Sequence, residues 1–98
     1  MDLLAHIEDW YLANCDGDWE HHRGLTIQTL DNPGWLVEID LVGTPMEEIP
    51  FDHFRLNRSK DDWVDCQSVD GKFQAAGGGR NLQELLGVFC TWVQTQRG

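Results

Sequence analysis

Apolar residues recur at three- and four-residue spacing near both ends of the 98-residue chain, which predicts a helix at each end. The first helix runs from Asp2, a capping residue, to about Asn14, and Asp16-Gly17 ends it. Its apolar stripe consists of Leu3, Leu4, Ile7, Trp10 and Tyr11. The second helix begins at Asn81, with Glu84 three residues on as in a capping box. Its stripe consists of Leu82, Leu85, Leu86, Phe89 and Val93.

The segment between these helices alternates apolar and polar residues, as strands do. Residues 24–30 and 35–41 form the clearest predicted hairpin, and Pro33 and Gly34 stand where a type II turn favours them. In the second strand Glu38 and Asp40 lie on the face opposite to Val37 and Ile39.

Three further strands are predicted at residues 52–58, 63–69 and 72–75. Asp70-Gly71 is a two-residue hairpin turn, and Gly77-Gly78-Gly79 is a flexible hinge before the last helix. Short turns between consecutive strands indicate an antiparallel sheet. The predicted fold class is therefore α+β, with about five strands in a meander and the two terminal helices packed on it.

Length and composition predict one domain spanning residues 1–98. A hydrophobic share of 41% and five tryptophans suffice for a packed interior. No apolar run approaches the roughly 20 residues of a membrane span, and the N-terminus lacks the features of a secretion signal. Three cysteines (Cys15, Cys66 and Cys90) are an odd number without CxxC spacing, so we expect reduced thiols and a cytoplasmic location.

Charge is distributed unevenly along the chain. Up to Phe54 there are twelve acids and one base, Arg23, whereas from Arg55 onward there are five acids and six bases. The net charge of −10 therefore comes from the first part. A one-sided negative field repels nucleic acid and anionic membranes and speeds encounter with a basic protein. Simple solvation of an acidic domain remains the alternative interpretation.

The densest polar cluster is the segment 15–22, with one thiol, three carboxylates and two imidazoles. Its spacing matches no known zinc or calcium pattern, so we expect neither a metal nor a cofactor. Cys15 with His21 or His22 could form a nucleophilic pair, but a helix C-terminus and neighbouring acids disfavour the thiolate. Gly77-Gly78-Gly79-Arg80 could cradle a phosphate, yet it lacks the residues of a P-loop, and a hinge is the simpler interpretation.

Trp19 lies between two acids in a predicted loop, and two roles are open for it. An aromatic residue within an acidic rim is a common design for a protein-binding hot spot. The same ring could equally plug the core beneath the sheet.

Several strings of the sequence together resemble the immunity protein 53 family. They include Cys15-Asp16-Gly17-Asp18-Trp19-Glu20-His21 and Thr29-Leu30-Asp31-Asn32-Pro33-Gly34-Trp35, with shorter matches at 10–11, 39–41, 62–63, 77–78 and 81–82. The resemblance covers nearly the whole chain. It implies an antitoxin of a bacterial polymorphic toxin system, which protects the producing cell by binding a toxin domain and performs no catalysis.

The resemblance and the charge together predict that the chain binds a basic, nuclease-type toxin through its acidic N-terminal part. The expected contacts are Asp16, Asp18, Trp19, Glu20 and Asp31, with Glu38 and Asp40 as a second acidic row. One alternative is a small hydrolase or sulfurtransferase that uses Cys15 and His21. Another is an adaptor with a different acidic epitope.

Overall fold

The structure, a computed structural model, describes residues 2–97, which contain three helices and five strands. In chain order they are α1 (Leu3–Asn14), α2 (Trp19–His22), β1 (Leu25–Leu30), β2 (Gly34–Asp40), β3 (Phe54–Ser59), β4 (Asp62–Val69), β5 (Lys72–Gly78) and α3 (Leu82–Arg97). Both predicted helices and all five predicted strands are present. The short helix α2 was not predicted.

The strands form one antiparallel sheet in the order β1-β2-β5-β4-β3, which confirms the predicted α+β fold class. A β1–β2 hairpin is joined to a β3-β4-β5 meander, because β5 rather than β3 pairs with β2. The connection 41–53 therefore runs from the middle of the sheet to its far edge. On the way it buries Met46 and packs Ile49 and Phe51 against the core.

One face of the sheet is covered by helices. Helix α3 packs on β5, β4 and β2, and α1 packs against α3. In β2, Val37 and Ile39 are fully buried while Glu38 and Asp40 lie on the other face, as the alternation predicts. The predicted stripe of α3 is buried or half-buried throughout. The predicted apolar stripe of α1 is wrong at one residue, because the Leu4 side chain is 64% exposed and not buried.

Aromatic rings connect the layers of the core. Phe89 of α3 lies 5.1 Å, centroid to centroid, from Trp10 of α1 and the same distance from Phe73 of β5. Phe51 of the 41–53 connection lies 5.5 Å from Phe73 and 5.0 Å from Trp92. These edge-on and tilted contacts fix each helix relative to the sheet.

Of the two predicted hairpin turns, one is correct in detail and one is not. Asp70 and Gly71 have φ angles of 53° and 76° and link the paired residues Val69 and Lys72, which confirms the two-residue turn. Gly34, however, belongs to β2 and pairs with Leu30, and it lacks the positive φ of a type II turn. Its small size is needed because a Cβ there would lie 2.6 Å from the carbonyl oxygen of Gly77.

The glycine run 77–79 is not the predicted hinge. Gly77 and Gly78 end strand β5 and pair with β2. A Cβ on Gly77 would lie 3.0 Å from the Trp63 oxygen, and one on Gly78 would lie 2.8 Å from Asn81 Oδ1. The glycines therefore permit close packing within the sheet and against the start of α3.

The predicted capping box at Asn81 also takes a different form. Asn81 is 6% exposed, and its Oδ1 accepts hydrogen bonds from the backbone N–H groups of Trp63 (3.3 Å) and Gly78 (3.1 Å). Its Nδ2 donates to Asp62 (2.9 Å) and Glu84 (3.2 Å). Glu84 thus meets the Asn81 side chain rather than its backbone, because that side chain is turned toward the sheet.

Arg58 joins this network from the β3–β4 hairpin. Its guanidinium donates to Asp62 (2.8 Å) and to Glu84 (2.5 Å), so it ties the hairpin to the first turn of α3. Hydrogen bonds from Arg58 and then Asn81 lower the pKa of Asp62 to about 2.

We expect Asn81→Ala to lower the free energy of unfolding by about 2–4 kcal/mol, because it leaves the buried N–H of Gly78 without its partner and removes three other hydrogen bonds. Asn57→Ala on the exposed strand β3 is the matched control and should change stability by less than about 0.5 kcal/mol. Urea unfolding followed by tryptophan fluorescence measures both. Equal, small losses would show that the Asn81 network contributes nothing particular to the fold.

Candidate functional site

The acidic segment 16–20 folds into a compact loop held by its own carboxylates. Asp16 Oδ1 accepts hydrogen bonds from the backbone N–H groups of Asp18 and Trp19, both at 2.9 Å. Glu20 reaches back to accept from the N–H groups of Asp16 (2.9 Å) and Gly17 (2.8 Å). This reciprocal arrangement resembles a capping box and starts helix α2. The N–H of Trp19, followed by that of Asp18, lowers the pKa of the Asp16 carboxyl below its ordinary value of 3.8.

The loop places the Trp19 side chain in the core, where it is 6% exposed. Its Nε1 donates to the carbonyl oxygen of Val42 at 2.9 Å. The ring meets Trp10 edge-on at 6.0 Å, and Tyr11 lies 6.1 Å away. Of the two roles open to Trp19, the structure therefore supports the core plug, since little of the ring is available to a partner.

The other predicted contact residues do not form one cluster. Asp18 is exposed within the loop, and Asp31 is exposed in the β1–β2 turn. Trp19 next to Asp18 is bonded to Val42, just past the end of β2, whereas Asp31 precedes its start. The two acids therefore lie toward opposite ends of β2, which at seven residues is roughly 20 Å long.

Glu38 and Asp40 lie on the sheet face that carries no helix, and both are half-buried. Glu38 accepts a hydrogen bond from the Gln74 side chain at 3.0 Å, and Asp40 accepts one from the backbone N–H of Gly24 at 2.9 Å. Each carboxylate thus stabilises the sheet locally and still has acceptor capacity toward solvent.

An apolar groove between β3 and α3 was missed by the sequence analysis. It has a volume of about 560 Å³ and is lined by Phe51, Asp52, Phe54, Glu84, Gly87, Val88, Thr91 and Trp92. The alternation of the apolar residues Phe54 and Leu56 with polar neighbours indicated a strand with one apolar face. The sequence could not show that α3 would leave this face uncovered.

The model of a known protein family matches most of this chain: immunity protein 53, over residues 4–94. The chain belongs to the immunity protein 53 family. Searches of curated proteins and of solved structures find no match. In the described residues, no helix is both long and apolar enough to cross a membrane.

Membership of the immunity protein 53 family implies binding of a cognate toxin protein, and immunity proteins are generally non-enzymatic. The strings that carry the resemblance include residues that build the fold. Asp16 and Glu20 shape a loop, Trp19 fills the core, and Gly78 and Asn81 join β5 to α3.

The geometry around Cys15 offers little to the enzymatic alternative. The Cys15 thiol donates to the carbonyl oxygen of Tyr11 at 3.3 Å, and within residues 2–97 no hydrogen bond joins it to His21. All three cysteines are free thiols, and burial raises the pKa of Cys66 to about 12. Across the same part of the chain, no group of three or more His, Cys, Asp or Glu residues is arranged to hold a metal ion.

The structure also disfavours the phosphate cradle considered for residues 77–80, because that segment is not an open loop. Gly77 and Gly78 belong to strand β5, and the N–H of Gly78 is occupied by Asn81 Oδ1.

We expect Trp19→Ala to destabilise the protein by about 3–5 kcal/mol, as truncation of a buried aromatic does. Trp19→Phe keeps most of the packing and loses the bond to Val42, so its loss should be smaller, about 1–3 kcal/mol. Thermal and urea unfolding of the two variants measure these losses of stability. A Trp19→Ala variant as stable as the wild type would contradict the core position.

The lowered pKa of Asp16 predicts an acid-dependent contribution to stability. The carboxylate is favoured in the folded state, so its contribution is present above its ordinary pKa of 3.8 and is lost as the pH falls through the lower folded value. The wild type should therefore be more stable than Asp16→Ala at neutral pH, and the difference should shrink in acid. Asp18→Ala removes an adjacent exposed carboxylate and serves as the control for the loss of one acid. Unfolding midpoints from pH 7 to pH 2 provide the measurement.

Proposed function

We propose that this protein neutralises a basic, nuclease-type toxin in the cytoplasm of the producing cell by binding it through acids of its first 54 residues, without catalysis. The family match supports the immunity function. The excess of eleven acids over bases in that part of the chain supports the choice of a basic partner.

The chemistry of a nuclease explains why charge is a useful criterion. An enzyme that holds a polyphosphate needs positive surface, and an acidic protein can cover that surface or dock beside it. The same negative field disfavours nucleic acid and anionic membranes as partners of the immunity protein itself.

The acids differ in how free they are to contact a toxin. Asp18 and Asp31 are exposed, and neither carboxylate accepts a backbone hydrogen bond within the described residues, so we assign them to steering and contact. We propose Glu38 and Asp40 as a second acidic row on the uncovered sheet face, where Glu38 accepts from the Gln74 side chain and Asp40 uses one oxygen for the backbone N–H of Gly24. Asp16 and Glu20 are occupied by backbone N–H groups, and Trp19 by the core, so these three support the contact surface rather than form its centre.

The separation of Asp18 and Asp31 indicates the size of the proposed interface. Contacts near the two ends of β2, a strand roughly 20 Å long, fit within a standard interface of about 800 Å² per partner. A toxin that meets both would span the length of β2.

Reversing Asp18 and Asp31 to Lys should mainly slow association with the toxin domain encoded next to this chain and flatten its dependence on salt, because long-range charge acts before contact. We expect the association rate at low salt to fall by about tenfold or more, with a smaller change in dissociation. Stopped-flow or surface-based kinetics at two salt concentrations measure both rates.

Asp61→Lys is the matched control, because it reverses an exposed acid outside the first part of the chain. It should change association less than either Asp18→Lys or Asp31→Lys. Association that responds neither to salt nor to these reversals would refute steering by the N-terminal acids. A toxin domain that does not bind the wild type would refute the proposed function.

A further inference from the structure

We propose that the groove between β3 and α3 receives an apolar side chain from an extended segment of the same toxin, which pairs with the open edge of β3 and carries basic flanking residues. This inference rests on the proposed function and adds a second contact surface to it.

Strand β3 offers backbone groups for such pairing. It is the last strand in the sheet order, and among residues 2–97 only β4 pairs with it. Every residue of β3 is exposed. Charged side chains often protect an edge strand, but here Arg55 is bonded to Asp65 and Arg58 to Asp62 and Glu84, so the positive charges are compensated.

The groove lies on the side of β3 that faces the helices. Phe54 pairs with Cys66 and Leu56 with Val64, and both partners are fully buried on the covered face of the sheet. Phe54 and Leu56 are nevertheless each 37% exposed, because α3 packs on β5, β4 and β2 and meets β3 through the Arg58–Glu84 ion pair, which leaves these two side chains uncovered. An added strand would place alternate side chains over the same gap.

The charges at the groove favour the toxin over a second copy of this chain. The two charged residues of its lining, Asp52 and Glu84, are both acids. Glu84 is paired with Arg58, whereas Asp52 makes no ion pair with another described residue. A basic flank on the incoming segment would neutralise Asp52. A second copy would bring together two chains of net charge −10 each.

Two substitutions in the groove test the proposal with the toxin domain encoded beside this chain as the probe. Phe54→Glu places a charge in the groove, and Thr91→Trp fills it from an exposed position of α3. Each should weaken binding by about tenfold or more, mainly through faster dissociation, because an anchored side chain acts only after contact. Leu12→Glu changes a leucine that is 63% exposed outside the groove and should leave the affinity within about twofold.

Hydrogen–deuterium exchange gives a second, independent measurement. Amides on the outer edge of β3 should become protected in the complex, while those of the opposite edge strand β1 serve as the internal reference. Thermal unfolding confirms that each variant is folded.

The outcomes separate this inference from the proposed function. If both groove variants bind as tightly as the wild type while the reversals of Asp18 and Asp31 slow association, the groove proposal is overturned and the proposed function stands. A wild-type dimer in sedimentation that Phe54→Glu dissociates would assign the groove to a second copy and overturn the proposed occupant. Failure of the wild type to bind the toxin domain overturns both.

Discussion

The packing of Phe89 is the contact on which the rest of this structure depends. The side chain is 1% exposed, and its ring contacts Trp10 of α1, Phe73 of β5 and Trp92 of α3. One residue of α3 therefore fixes the positions of α1 and α3 relative to the sheet. With α3 anchored over β5, it also covers β4 and β2 and leaves Phe54 and Leu56 of β3 partly exposed. The open groove at the sheet edge is therefore a geometric consequence of where the core is centred.

The acids of this chain perform two physically different tasks. Several carboxylates accept hydrogen bonds from backbone N–H groups at places where the chain changes direction: Asp2 at the start of α1, Asp16 and Glu20 around α2, and Asp40 at Gly24. A carboxylate used in this way stabilises a turn and has less freedom to reach a partner. Within the described residues, no backbone N–H donates to the carboxylates of the exposed acids Asp18 and Asp31. The net charge of the chain does not distinguish these two kinds of acid.

Features set by local sequence were predicted well, whereas features set by distant contacts were not. Apolar spacing located α1 and α3, and Asp70-Gly71 specified its turn, because these signals act over a few residues. The role of Gly34 depends on Gly77 of another strand, and that of Asn81 on Trp63. For the candidate site, Asp18 and Asp31 are exposed, and their role as toxin contacts stays a prediction. The position of Trp19 was decided by Val42, which lies 23 residues further along the chain.

The strings that carry the family resemblance hold two kinds of residue, namely the proposed contacts Asp18, Asp31 and Asp40 and the residues that build the fold. Trp19, Gly78 and Asn81 are held by packing or buried hydrogen bonds, so replacing them would disturb the fold for any partner. Discrimination between toxins requires side chains that can change without that cost, together with features that repel the wrong partner. Phe54 of β3 and Thr91 of α3 meet this requirement, because both are exposed and lie outside the strings.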